Sequence, residues 1–121
     1  MSISVMELLE EKAKRFGAST AQDDFVQLFL DSTNYALDDI DERLGLSTAR
    51  VTDTDDTISL DEQMYRGTLS IGIDWYITDS GEWNVKDQAS VERRWEQKLK
   101  MLHVRYMRDQ APDVRFGDLD A

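Results

Sequence analysis

The chain has no cysteine, one proline, one histidine and six glycines among 121 residues. Without cysteine there is no disulfide staple, no thiol nucleophile and no cysteine-bearing zinc finger, and a reducing compartment poses no conflict. The lone histidine, His103, stands between Leu102 and Val104 in a helical pattern with no oriented partner in view. It reads as structural or solvated rather than catalytic. The glycines lie singly and far apart, which excludes a phosphate-cradling loop and disfavours nucleotide-dependent enzymes. No apolar run approaches the roughly 18 residues that span a bilayer. With acids at Glu7, Glu10 and Glu11 near the start, a cytosolic, soluble protein without a membrane partner is expected.

Scarcity of glycine and proline also removes turn formers and suits long helices. Hydrophobic content is 40%, with three Trp, four Tyr and four Phe to anchor a core. That is enough for one domain, read as residues 1–110, followed by a polar, flexible tail over 111–121. Net charge is −11 and unevenly spread. Residues 21–62 hold twelve acids against Arg43 and Arg50, giving −10, whereas residues 86–108 hold seven bases against three acids, giving +4. The acidic total argues against general nucleic-acid affinity, which comes mostly from neutralising phosphates.

Four helices are expected. The first is amphipathic, starts at Ser2 or Ser4, carries Val5, Leu8, Leu9, Lys12, Ala13 and Phe16 at helical spacing, and closes at Gly17. The second is capped by Ser19 or Thr20 and runs to Leu44 ahead of Gly45. Phe25, Phe29, Ser32, Ala36, Ile40 and Leu44 mark its inner face, while Asp24, Asp31, Asp38 and Glu42 line an acidic, wet one. Residues 46–58 read as an exposed acidic loop with a brief extended piece around Arg50-Val51-Thr52. Two signals then compete. Leu69, Ile71, Ile73, Trp75 and Ile77 alternate with Ser70, Gly72, Asp74 and Tyr76 as in a half-buried strand, and Gly67 and Gly72 weaken a helix. The Ser59-Leu60-Asp61-Glu62 capping box favours a central, buried helix over 60–78. The last helix, capped by Asp87 or Ser90, carries the stripe Val91, Trp95, Leu99, Leu102 and Tyr106 and stops before Pro112.

No segment offers a reaction centre. Counting a calcium loop from Asp53 puts Thr57, Ile58 and Met64 where a ligand, a glycine and a bidentate Glu belong. The pairs Asp38/Asp39 and Asp41/Glu42 read as helix solvation. No metal and no cofactor are expected. Arg94, Lys98, Arg105 and Arg108 share a face of the last helix and are the candidate subunit or partner contact. Opposite patches on one molecule favour head-to-tail rings.

Three segments in order, MELLEEKAKRFG, AQDDFVQLFLDSTNYALDDIDERLGL and LSIGIDWYITDSGEW, carry a Leu- and Lys-bearing helix, an Asp-opened long helix and a Trp75-Tyr76 pair. Over residues 6–83 this arrangement resembles the head-to-tail adaptor (connector) proteins of long-tailed bacteriophages. Gly67, Gly72 and the alternating isoleucines depart from the Leu- and Ala-rich composition usual in that family's aromatic helix. The resemblance implies a non-enzymatic virion protein of the neck, made in the bacterial cytoplasm. It would form a homo-oligomeric ring that bridges the portal protein to a tail-side neck or tail-terminator protein, and the genome would pass through without specific binding. In such a ring Asp38, Asp39, Asp41 and Glu42 would line the DNA channel and repel phosphate, and Val114, Phe116 and Leu119 would dock the tail on the portal. Two rival readings are a small acidic protein that binds and regulates a host factor as a nucleic-acid mimic, and a nucleic-acid-binding module using the basic helix face.

Overall fold

The computed structural model describes residues 2–83 and 88–110. The tail with Val114, Phe116 and Leu119, and the candidate cap Asp87, lie outside the described residues. The order is β1 (Ile3–Ser4), α1 (Val5–Phe16), α2 (Asp23–Leu44), β2 (Thr57–Ile58), α3 (Glu62–Asp79) and α4 (Gln88–Gln110). The protein is a small all-α bundle with a two-residue antiparallel pair, Ile3 opposite Ile58 and Ser4 opposite Thr57.

Helix ends follow local chemistry. Ser4 caps α1 by accepting from the Glu7 amide at 3.3 Å. Gly17 and Gly45 close α1 and α2 with φ of 70° and 71°, a left-handed conformation that costs residues with a Cβ. Two expected caps are corrected. The residue at the start of α2 is Gln22, with no side-chain cap bond, while Ser19 Oγ accepts from the Ala21 amide in the preceding turn. The capping box at Ser59 is displaced by Asp61, whose carboxylate accepts from the Met64 amide at 3.0 Å. Ser59 is unavailable as a helix start because Thr57 and Ile58 are held extended against β1.

The 46–58 segment is also more ordered than its composition suggests, and its extended piece is Thr57–Ile58 rather than residues 50–52. Asn34 reaches from α2 to clasp Val51, donating to its carbonyl at 2.9 Å and accepting from its amide at 2.8 Å, so Val51 is buried. Asp56 gathers the Thr52 and Asp53 amides, which hold its carboxyl below the usual range.

The core is built by the faces that the apolar spacing marks: Leu8 and Leu9 of α1, Phe25, Phe29, Ala36 and Ile40 of α2, and Trp95, Leu99 and Leu102 of α4. Helix α3 is the axis, packed chiefly against α2 and α4. Leu69, Ile71, Ile73 and Ile77, which alternate along the sequence, are all buried because neighbours cover α3 on several sides. Gly72 makes this possible. A Cβ there would lie 2.7 Å from the Trp95 ring and 2.9 Å from Ala36 Cβ, so three helices meet at a point with no room for a methyl group. Gly67, one and a half turns earlier, faces open space.

These two glycines should therefore respond oppositely. Gly67→Ala is expected to stabilise the fold by roughly 0.5–1 kcal/mol through helix propensity. Gly72→Ala should lose stability by about 1–3 kcal/mol from overpacking, less the same propensity gain. Urea denaturation of the two variants measures both.

Candidate functional surfaces

Helix α1 brings a cation inward. Lys12, on the apolar face of α1, is 1% exposed, and its Nζ lies 2.9 Å from Oδ1 of Asp74, itself buried in α3. No well-directed hydrogen bond reaches that oxygen, so the contact is chiefly Coulombic. The ammonium is directed instead at Ser70 Oγ at 2.6 Å and Glu11 Oε1 at 3.3 Å. Ser70 in turn donates to Glu11 at 3.0 Å, Arg66 donates to Glu11 at 3.1 Å, and Arg15 stands 3.3 Å from Asp74. Burial works against the Glu11 charge, but Lys12, the Ser70 hydroxyl and Arg66 outweigh it and hold the carboxyl below its ordinary value. The network lines a cleft of about 430 Å³ that Lys14 and Arg94 also border.

The long helix α2 divides its acids by role. Asp24, Asp31, Asp38 and Glu42 are exposed along one face, as their spacing implies. Asp41 is buried, contrary to its reading as helix solvation and as a channel-facing group. It accepts from the Thr48 amide at 2.9 Å, the Thr48 hydroxyl at 2.7 Å and Arg50 Nη1 at 2.8 Å. Burial opposes its charge, yet those donors prevail and keep its carboxyl below the usual range. Arg50 also reaches Asp38 at 2.6 Å, so the guanidinium ties the chain after α2 back onto that helix. Asp39 is half-buried and accepts from the Tyr76 hydroxyl; burial and that acceptor push Tyr76 well above its ordinary value. Of the four carboxylates assigned to a channel wall, Asp38 and Glu42 remain exposed.

Helix α4 presents the cations. Arg94, Lys98, Arg105 and Arg108 are exposed, as their shared face requires. Lys98, Arg105 and Arg108, with Lys100, border a groove of about 700 Å³ between α4 and the first half of α3, whereas Arg94 borders the cleft at Asp74. The groove is lined by Met64, Gly67, Leu102 and the exposed Met101 and Val104. Among the described residues its four cations have no ion-pair partner. His103 is part-buried and does not line the groove. Among the described residues no cluster of three His, Asp or Glu groups comes together as metal ligands, and no helix is long and apolar enough to cross a membrane.

Sequence reasoning placed Lys12 on a buried face and Asp74 in an apolar segment without pairing them, though two charges at otherwise apolar positions signal a buried partner. It missed the Asp41 clamp and the groove's apolar lining. Met101 and Val104 lie off the core stripe of α4, and that displacement was the available clue. Comparison of the chain with protein-family models, curated proteins and solved structures gives no match.

Two stability tests follow from the polar clusters. Lys12→Met should destabilise the protein by about 3 kcal/mol or more, since it strips a buried carboxylate of its nearest cation, while Arg15 limits the loss. Lys12→Met with Asp74→Asn should recover much of it, which a double-mutant cycle in urea resolves. For Asp41, the folded-state value lies below the unfolded value near 3.8, so its contribution is present above that pH and lost as pH falls through the folded value. Asp41→Asn should cost about 2 kcal/mol at neutral pH. The gap from the native protein should close as the pH is taken below 3.8, read by thermal melts across a pH series.

Proposed function

We propose that this protein is a structural component that works by packing against other subunits, and specifically a head-to-tail adaptor forming a ring between portal and tail around the exit channel of a bacteriophage genome. The observation that carries this reading is the segregation of surface charge. Cations that have no ion-pair partner among the described residues border an apolar groove on α3 and α4, and a column of exposed acids runs along α2. A monomer gains nothing in stability from such an arrangement, because isolated surface charges interact weakly with water between them. Repeated subunits gain directional contacts and register from it. The order of the helices and the Trp75-Tyr76 pair on α3 agree with the adaptor resemblance.

In this reading the genome passes without specific binding. The channel wall has fewer carboxylates to contribute than four: Asp41 is inside the fold and Asp39 is engaged by Tyr76, which leaves Glu42 and the Arg50-paired Asp38. A polyanion sliding past them meets repulsion within a Debye length of about 8 Å at physiological salt. The exposed column Asp24, Asp31, Asp38 and Glu42 also favours a second reading, a nucleic-acid mimic that binds a basic host protein.

Native mass spectrometry over a concentration and salt series, with and without a co-expressed candidate portal protein, separates the two. A large closed oligomer, alone or on the portal, is the expected result. A salt-insensitive monomer or dimer that ignores the portal overturns the adaptor reading in favour of the mimic.

A further inference from the structure

Among the described residues four large hydrophobic side chains stand exposed: Met101 at 57%, Val104 at 66% and Met107 at 56% on α4, and Tyr35 at 54% on α2. Met101 and Val104 line the cation-bordered groove, and Tyr35 stands on the acidic side. Tyr35 follows Asp31 by four residues and precedes Asp38 by three, so the three side chains form one ridge on the outer surface of α2, with an aromatic ring between two carboxylates. The ring leans on Tyr76 at 5.4 Å, which fixes its direction while leaving half of it in water. The groove has the complementary content: the exposed Met101 and Val104 line it together with Lys98, Arg105 and Arg108.

We infer that the α2 ridge of one copy seats in the α3–α4 groove of the next, with Tyr35 against Met101 and Val104 and with Asp31 and Asp38 facing Lys98, Arg105 and Arg108. This rests on the ring reading and supplies the contact that builds the ring. The partner is a second copy because charge and apolar content match on both sides: the ridge offers Asp31 and the Asp38 carboxylate shared with Arg50 around one ring, and the groove offers cations without an ion-pair partner among the described residues around a thioether and an isopropyl group. A copy cannot seat its own ridge. Among the described residues the groove is walled by α3 and α4, and α2 is held against α3 with the Tyr35 ring tilted against Tyr76. Two different surfaces therefore meet, which makes the contact heterologous, so repetition either closes a ring or grows a filament. Glu42, one turn beyond Asp38, stays outside the contact and is left for the channel.

Two variants dissect the junction. Asp31→Lys with Tyr35→Ala removes the ridge and keeps the groove; Met101→Asp with Arg105→Glu removes the groove and keeps the ridge. All four positions are exposed, so circular dichroism should show unchanged helix content in both. Sedimentation velocity over a concentration series should show salt-sensitive self-association of the native chain, weakened about tenfold or more in each variant alone. An equimolar mixture of the two should form a one-to-one heterodimer and nothing larger, because only one intact junction is present. A native chain that stays monomeric at millimolar concentration overturns the inference. So does association that neither variant weakens, or a mixture that recovers nothing. Loss of association on deleting 111–121, with the ridge variant unaffected, overturns it in favour of the chain's own tail as the groove's occupant. Co-assembly with the portal protein is read separately: if it persists while the ridge and groove variants have no effect, the junction is wrong and the ring reading stands.

Discussion

A lysine ammonium with 1% of its side chain exposed is tolerable only with an anion beside it, and Asp74 supplies that anion at 2.9 Å. The pair joins the first helix to the third, and Ser70, fifty-eight positions from Lys12, reinforces it; together they set the rotation of α1. Rotating α1 by one residue would bring Lys12 off Asp74 and push Leu8 and Leu9 out of the core. Burial of the two charges is costly, and the surrounding Ser70, Glu11, Arg15 and Arg66 offset part of that cost. The effect on the fold is specificity of docking more than raw stability.

Helix α3 is covered chiefly by α2 and α4, and the close approach at Gly72 decides how α4 lies. Trp95 fills the space that a side chain at position 72 would occupy. Because Trp95 is pinned there, the core stripe of α4 through Leu99 and Leu102 points inward, and the residues offset from it point out. Lys98, Arg105 and Arg108 therefore stand around the gap between α4 and the narrow, glycine-bearing start of α3. The same close packing that stabilises the bundle opens the groove beside it.

On the opposite helix, charge is sorted by burial. Asp41 is drawn inside to organise the turn after α2 with Thr48 and Arg50, and Asp39 serves Tyr76. The remaining acids keep a wet, ordered column in which Asp38 is partly neutralised by Arg50. A net charge of −11 thus conceals two kinds of acid, some spent on the fold and some left on the surface. The surface acids stand on α2, and the cations of α4, which have no ion-pair partner among the described residues, stand on another helix of the same small molecule.

Residue order along the chain was enough for the helical class, the limits of α1, the end of α2, and the inward faces of α2 and α4. Those are set by interactions within a few residues: Ser4 as a cap, Gly17 and Gly45 as stops, and apolar residues at helical spacing. It also showed the exposed acids of α2 and cations of α4, because a helix displays its polar face wherever it packs. What the tertiary structure decided involves partners distant along the chain. The Ser59 capping box lost to Asp61 because β1 holds residues 57–58 extended, and Asp41 was buried because Thr48 and Arg50 fold back over it. Whether residues 60–78 formed a strand or a helix was undecided by period alone, since a helix covered on several sides by neighbours tolerates apolar residues at alternate positions. Lys12 with Asp74, and the gap beside Gly72, depend on how three helices meet, and a pattern read along one chain carries no distance between them.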